Sequence, residues 1–267
     1  MWKFDNIVKF MVNEKINIPT KGGYKTSEKL LKVRLCVFIS AFVHLVFIAT
    51  KLLTIDFTKA EDPALWPYAN VRWKLITCWF NLASLAYLPV CIYCDWREIR
   101  GEAQWDHVKN LNQIRFLVFT GFIFPTTAFA DILFWRLWNK DHLLLAPSGV
   151  DKLVPFWTQH CMHTVSLVFT LLDLVLVPRK RPASMVPGLS IMMTVITVYC
   201  GVCAESIIVQ GEYLYPVIKT MSNFKLGLLV LYIIVEHLFY FTGQFVLYDF
   251  LWGQSKSKSE RLQFSSS

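Results

Sequence analysis

Residues Leu75–Cys94 form the stretch LITCWFNLASLAYLPVCIYC, which contains no charged side chain. About 20 mostly apolar residues in a helix cross the ~30 Å hydrocarbon layer of a bilayer, so this stretch is predicted to be a transmembrane helix. Five further stretches meet the same criterion: Leu35–Leu53, Phe116–Trp138, Val154–Val177, Gly188–Val209 and Leu226–Trp252. The sequence therefore predicts an all-α integral membrane protein with six transmembrane helices.

The composition supports this class and argues against others. Of the 267 residues, 55% are apolar and 17% are charged, whereas soluble domains carry about 25% charged residues. The net charge of +8 comes from lysines and arginines that lie mostly between the apolar stretches, and no segment is long enough to form the basic face of a nucleic-acid-binding domain. The bilayer is therefore an expected partner and nucleic acid is not. All seven cysteines lie inside apolar stretches, so no disulfide framework is expected.

The distribution of positive charge predicts the orientation. The segments on the side of the two chain ends carry 18 lysines and arginines, and the opposite side carries nine. Because positively charged loops favour the cytoplasm, both termini are predicted to be cytoplasmic. The predicted organisation is a basic tail over 1–34, a six-helix domain over 35–252 and a disordered polar tail over 253–267. Apolar residues at helical spacing near the start of the chain suit either a short interfacial helix or a frayed tail.

Several polar side chains fall at membrane depth, where such groups are costly and mark candidate functional sites. With the predicted topology, five of them from four helices lie at a similar depth in the non-cytoplasmic half of the bilayer: Thr77, Asp131, His160, His163 and Glu205. A shared polar pocket would satisfy them together. His160 and His163 are three residues apart and are therefore expected on one helix face.

Three interpretations of these histidines remain open on spacing alone. They could hold a metal ion, although HxxH without an intervening glutamate is a weak signal. One could act as a base on a nearby hydroxyl, or both could form interhelical hydrogen bonds. His44, Glu236 and His237 lie near mid-membrane, where they suit a proton path or structural pairs. Asp173 is expected to be solvated near the cytoplasmic interface.

Two motifs carry a family resemblance. WKLIT opens the second helix at residues 73–77, and VPFWTQHCMHT opens the fourth at 154–164. With Phe134-Trp135, Pro125 and Tyr215-Pro216, they resemble the androgen-inducible, androgen-dependent TFPI-regulating protein family of small multi-pass membrane proteins. The resemblance extends from about residue 30 to residue 252.

The resemblance implies a threonine hydrolase that cleaves fatty acid esters of hydroxy fatty acids (FAHFA) without a cofactor or metal, in the endoplasmic reticulum or plasma membrane. It places the nucleophile on Thr77 and the essential histidine on His163. The chain departs from the family pattern at Cys161, where glycine is usual, and at Phe80, where a polar residue is expected and Asn81 follows instead.

The group that orients the imidazole remains open among Asp131, Glu205 and His160. The oxyanion donors are left open as well, and Lys74 and a backbone amide at the start of the second helix are the candidates. The alternative function is a non-enzymatic transporter or regulatory binding protein, for which the mid-membrane Glu236 and His237 would be suited.

Overall fold

The computed structural model describes residues 26–252. Six long helices account for most of this part, and no strand occurs within it. They are α1 (Glu28–Leu53), α2 (Ile76–Ile99), α3 (Asp106–Lys140), α4 (Phe156–Leu176), α5 (Val186–Ile208) and α6 (Asn223–Trp252). Each is long and apolar enough to cross a membrane, which confirms the predicted six-helix architecture. The expectations for residues 1–25 and 253–267 lie outside the described residues.

Three predicted helix ends are wrong. α1 begins at Glu28 instead of Leu35, with the Ser27 hydroxyl accepting a hydrogen bond from the amide of Leu30. The loop predicted over 95–115 is largely helical, because α2 continues to Ile99 and α3 begins at Asp106. A hydropathy criterion ends each predicted helix at the first charged residue. These helices continue past it because Arg34, Asp95 and Arg115 are buried and paired with one another.

α3 is the central helix of the bundle, since most of its span is buried while the other five helices are largely exposed. α1 packs along α2, and α5 and α6 pack against α3. The exposed faces carry large apolar side chains such as Ile208, Phe224 and Phe250, which are 70–80% exposed. A surface of this kind is suited to lipid.

A widened π-helical turn over Phe119–Ile123 lies in the middle of α3 and ends two residues before Pro125. Proline lacks the amide hydrogen that would continue the α-helical pattern, and a π turn is a common way to absorb the interruption. The turn brings Gly121 against Gly188 of α5, so closely that a Cβ on Gly121 would lie 2.7 Å from the Gly188 carbonyl oxygen. Small residues allow such close helix packing in membranes.

The six helices alternate in direction, so α1 begins and α6 ends at one end of the bundle. We call this the terminal end and the opposite one the site end. The assignment of the terminal end to the cytoplasm remains a prediction.

Arginine–aspartate pairs are buried at the terminal end. Arg34 of α1 donates from Nε to Asp95 Oδ2 over 2.9 Å, and Arg115 of α3 donates to Asp95 Oδ1 over 2.7 Å. The three side chains are at most 4% exposed. A buried carboxylate needs such partners to offset the loss of hydration, and here the pairing joins α1, α2 and α3.

Asp173 of α4 belongs to the same region, and the expectation that it is solvated is wrong. It is buried, accepts a hydrogen bond of 2.8 Å from the Tyr87 hydroxyl and pairs with Arg179. Arg179 also donates to the hydroxyl of Tyr248 in α6. These contacts tie α4 to α2 and α6. We call Arg34, Asp95, Arg115, Asp173 and Arg179 the buried ion cluster.

Candidate functional site

A cavity of about 240 Å³ lies at the site end between α1, α2, α3, α4 and the connecting segments. Its wall is mostly apolar, with polar side chains from Thr77, Asn81, Gln159 and His163 among the exceptions. Some lining residues, Leu82 among them, are also exposed on the outer surface of the bundle. The cavity therefore reaches the lipid-facing surface, and a few polar groups in an apolar pocket are typical of ligand sites.

His163 projects from α4 and is 3% exposed. Its Nδ1 lies 2.9 Å from Oδ1 of Asp131 in α3. Because a carboxylate accepts hydrogen bonds, this contact assigns the hydrogen to Nδ1 and leaves the Nε2 lone pair available as a base. The imidazole stacks on Phe134 with the ring centroids 3.6 Å apart and the planes 6° from parallel. The ring is thus held at its edge and on its face.

Asp131 is fully buried. Its second oxygen, Oδ2, lies 2.6 Å from the Ser166 hydroxyl, which is also 2.6 Å from the Met162 carbonyl oxygen. The one hydroxyl hydrogen can be donated to either acceptor. The carboxylate therefore has partners on both oxygens, as a buried charge requires. Among the three candidates for the orienting group, Asp131 is the one in contact with His163.

Thr77 lies in the first turn of α2 and lines the same cavity as His163. The helix begins here because Leu75 is extended, and the amide of Ile76 donates to the hydroxyls of Tyr199 and Tyr215 over 3.2 and 3.3 Å. Burial raises the pKa of Tyr215 to about 12, so its hydroxyl remains protonated at neutral pH. The amide of Thr77 itself makes no hydrogen bond to any described residue.

His160 does not share the cavity, which corrects the expectation that it lies on one face with His163. Residues His160–Val165 form a π-helical turn, and its wider winding separates positions that an α-helix would bring together. The exposed His160 ring contacts Trp135 and Phe156, and its Nδ1 lies 3.1 Å from the Thr164 hydroxyl.

Lys74 and Glu205 form a separate polar group beside the cavity. The Lys74 ammonium donates to the side chains of Gln210 and Ser206 and lies 3.7 Å from Glu205 Oε2. Glu205 also accepts a hydrogen bond from Gln210 and is 47% exposed. Neither residue lines the cavity, and neither contacts His163.

The mid-membrane groups have partners of their own. Glu236 lies 3.6 Å from Arg136, the His237 Nδ1 lies 2.8 Å from the Ile233 carbonyl oxygen, and His44 contacts the carbonyl of Cys161. Across residues 26–252 there is no group of three or more histidine, cysteine and acidic residues that could hold a metal ion.

The match to the family model for FAR-17a/AIG1-like protein covers residues 36–251, which include most of α1 and α6, the four helices between them and every residue of the cavity. The chain belongs to this family. The androgen-dependent TFPI-regulating protein of Rattus norvegicus is 31% identical over 133 residues, which cover 47% of this chain and 53% of the rat protein. The androgen-induced gene 1 protein of Homo sapiens is 24% identical over 214 residues, which cover 77% of this chain and 87% of the human protein.

The chain thus spans about half the length of the rat relative in their alignment. The androgen-dependent TFPI-regulating protein of Homo sapiens is 28% identical over 154 residues, covering 57% of this chain and 65% of that protein. No solved structure matches the chain.

Three polar residues of this family member were not selected by sequence reasoning. Ser166 contacts Asp131, while Gln159 and Arg72 line the cavity. Gln159 lies within the histidine motif, so its position next to His160 was the available signal. Arg72 lies in a predicted loop, and nothing in its spacing distinguishes it from neighbouring cations such as Lys74.

Proposed function

We propose that the protein is a membrane-embedded ester hydrolase that cleaves fatty acid esters of hydroxy fatty acids into a fatty acid and a hydroxy fatty acid. The observation that carries the proposal is His163, hydrogen-bonded to the buried Asp131, on the wall of a lipid-facing apolar cavity that Thr77 also lines. A nucleophile, a base and a group that orients the base are the parts that acyl transfer requires.

In the first half of the reaction, the Thr77 hydroxyl attacks the ester carbonyl while His163 Nε2 takes the hydroxyl proton. The resulting imidazolium lies beside the Asp131 carboxylate, whose negative charge stabilises it. The bond between the acyl carbon and the alcohol oxygen then breaks. The departing oxygen takes the proton from Nε2 and leaves as the hydroxy fatty acid, with the fatty acyl group on Thr77.

In the second half, water attacks the acyl carbon and gives a proton to His163 Nε2. The bond to Thr77 Oγ breaks, the proton returns to Oγ, and the free fatty acid leaves. Two groups are suited to stabilise the oxyanion in both halves. The Thr77 amide has no hydrogen-bond partner among the described residues, and the buried Gln159 side chain lies on the cavity wall. Donors that are fixed before the reaction are the most effective ones.

The shape of the cavity supports a lipid substrate. Its wall combines apolar side chains of α1 and α2 with polar groups at the site end, so a long acyl chain can lie along the apolar part with its ester near Thr77. This arrangement suits an ester that enters sideways from the bilayer.

The test uses the purified full-length protein in proteoliposomes and a palmitate ester of a hydroxystearic acid. Thr77→Ala and His163→Ala are each expected to reduce the release of hydroxystearic acid by at least about 10³-fold, as removal of such groups does in other hydrolases. Thr77→Ser is expected to retain activity, because it keeps the hydroxyl. Thr242→Ala is the matched control, since Thr242 is exposed on α6 and bonds only to carbonyls of its own helix.

A fluorophosphonate probe adds an independent measurement, because it reacts covalently with activated hydroxyls. Mass spectrometry is expected to find the label on Thr77, and the His163→Ala variant is expected to lose it. Full hydrolysis by a folded Thr77→Ala variant would refute the proposal.

A further inference from the structure

The substrate proposed above brings a second functional group into the cavity. An ester formed on the hydroxyl of a hydroxy fatty acid still carries the free carboxyl group of that acid. This group is ionised near neutral pH, and a carboxylate in an apolar cavity is costly unless a charged partner meets it. A cavity that accepts such a molecule therefore needs a cation on its wall.

Arg72 is the one arginine or lysine among the described residues that line the cavity. Its Nη1 donates to the carbonyl oxygens of Leu52 and Ile55, over 3.3 and 3.0 Å, at the end of α1. The Phe57 and Trp73 rings lie 5.6 and 5.2 Å from its Cζ. The guanidinium is thus fixed before any ligand binds.

The other edge of the same guanidinium has no partner within residues 26–252. Nε is buried without a hydrogen bond, and Nη2 makes none. Nε and Nη2 together form the fork that binds a carboxylate through two parallel hydrogen bonds. Arg34 uses this same pair of atoms to bind Asp95 in the buried ion cluster. In Arg34 these two atoms bind a carboxylate, whereas in Arg72 the same two atoms have no partner in the described part of the chain.

Lys74 is not equivalent to Arg72, because its ammonium already binds Gln210, Ser206 and Glu205. The position of Arg72 also suits the proposed reaction. Two residues of 3₁₀ helix, one extended residue and one α-helical residue lie between Arg72 and Thr77. At the usual rise per residue this separation is at most about 11 Å along the backbone, which the aliphatic segment between an ester and a carboxylate can span.

We propose that Arg72 binds the free carboxylate of the substrate and makes the enzyme selective for esters that carry one. This inference rests on the proposed function and adds the group that recognises the hydroxy-acid half. It assigns Arg72 to substrate binding and leaves the chemistry to Thr77 and His163.

The experiment compares a palmitate ester of a hydroxystearic acid with the methyl ester of the same molecule, which lacks the negative charge. Wild-type protein is expected to cleave the free acid with a kcat/KM about 10–100-fold higher, the range given by a charge-assisted hydrogen-bonded pair. Arg72→Gln is expected to remove this preference by lowering kcat/KM for the free acid alone. Arg72→Lys keeps the positive charge but not the two parallel donors. Its preference for the free acid is expected to lie between those of the wild-type protein and Arg72→Gln.

Arg136→Gln is the matched control, because Arg136 is an exposed arginine near the end of α3 that pairs with Glu236 outside the cavity. It is expected to retain the wild-type preference. Equal cleavage of both esters by wild-type protein overturns the inference even if Arg72→Gln does not fold. A parallel loss on both esters in Arg72→Gln also overturns it, since that result indicates a structural role.

Binding to the Thr77→Ala variant separates this inference from the proposed function. Intrinsic tryptophan fluorescence is expected to report tighter binding of the free acid than of the methyl ester, and adding Arg72→Gln is expected to abolish the difference. If wild-type protein cleaves neither ester but this difference is present, the hydrolase proposal fails and the carboxylate site stands. If the two molecules bind Thr77→Ala equally, the carboxylate site is refuted.

Discussion

Replacing Asp131 with asparagine tests the proposed catalytic arrangement most directly. The amide has the size of the carboxylate and can occupy the same fully buried position between His163 and Ser166. If its NH₂ group faces His163, the imidazole hydrogen moves to Nε2 and the base is lost. If its oxygen faces His163, the tautomer is kept, but the negative charge that stabilises the imidazolium is gone. Both orientations impair the proton transfer.

The size of the effect follows from the geometry. Nδ1 and Oδ1 are 2.9 Å apart, and the charge centres of an imidazolium and a carboxylate in this contact are about 4 Å apart. Two unit charges at that distance interact with about 4 kcal/mol at an effective dielectric constant of about 20. Losing that interaction in the transition state lowers kcat about 10³-fold. KM is expected to change little, because His163 is neutral when the substrate binds.

The assay is hydrolysis of the palmitate ester by the reconstituted full-length protein, with kcat and KM measured separately. Glu205→Gln and His160→Gln are tested alongside, because both residues were candidates for the orienting group. They are expected to retain kcat within about threefold, since neither contacts His163. Thermal unfolding checks that Asp131→Asn is folded. No loss of stability is expected, because the substitution removes a buried charge and leaves a neutral histidine beside it.

Two results would refute this reasoning. A folded Asp131→Asn variant that keeps more than about a tenth of wild-type kcat would show that the carboxylate does not support the base. A loss of kcat in Glu205→Gln equal to that in Asp131→Asn would contradict the assignment of the supporting charge to α3.

Three further substitutions test the oxyanion site, the helix packing and the buried ion cluster. Gln159→Leu is expected to lower kcat about 10²-fold with little change in KM, because it removes an oxyanion donor; an effect on KM alone in steady-state kinetics would argue for substrate binding instead. Gly121→Ala is expected to lower the free energy of unfolding by about 1–3 kcal/mol through a backbone clash with α5. Gly201→Ala has open space and is its control in denaturant titrations, where equal stability of the two variants would contradict the packing argument. Asp173→Asn leaves Arg179 without its carboxylate and is expected to lower the free energy of unfolding by about 3–5 kcal/mol. An unchanged Tm would contradict the assigned role of this pair.

Hydropathy predicted the number of helices because lipid requires an apolar stretch of a fixed length. It misplaced the ends of α1, α2 and α3 because it treats every charge as hydrated. Arg34, Asp95 and Arg115 are buried against one another, and only the assembled bundle provides those partners. Asp173 was misjudged for the same reason.

The site was predictable to the level of depth along each helix. Equal depth correctly grouped Thr77, Asp131 and His163 at one end of the bundle, but it could not separate Asp131 from Glu205. That choice depends on which helices are neighbours, and α3 rather than α5 contributes the carboxylate beside His163. His160 was misplaced because residue spacing implies an ordinary α-helix, and nothing in the local composition signals the π turn.

The buried ion cluster has a consequence for biosynthesis. In chain order its side chains are Arg34, Asp95, Arg115, Asp173 and Arg179, so their signs alternate from positive to negative throughout. As the ribosome delivers the helices in succession, each new charge is opposite to the one before it, and the running total never exceeds a single positive charge. A nascent chain that carries these groups into the bilayer therefore never has to hold two unbalanced like charges there while it waits for the next helix.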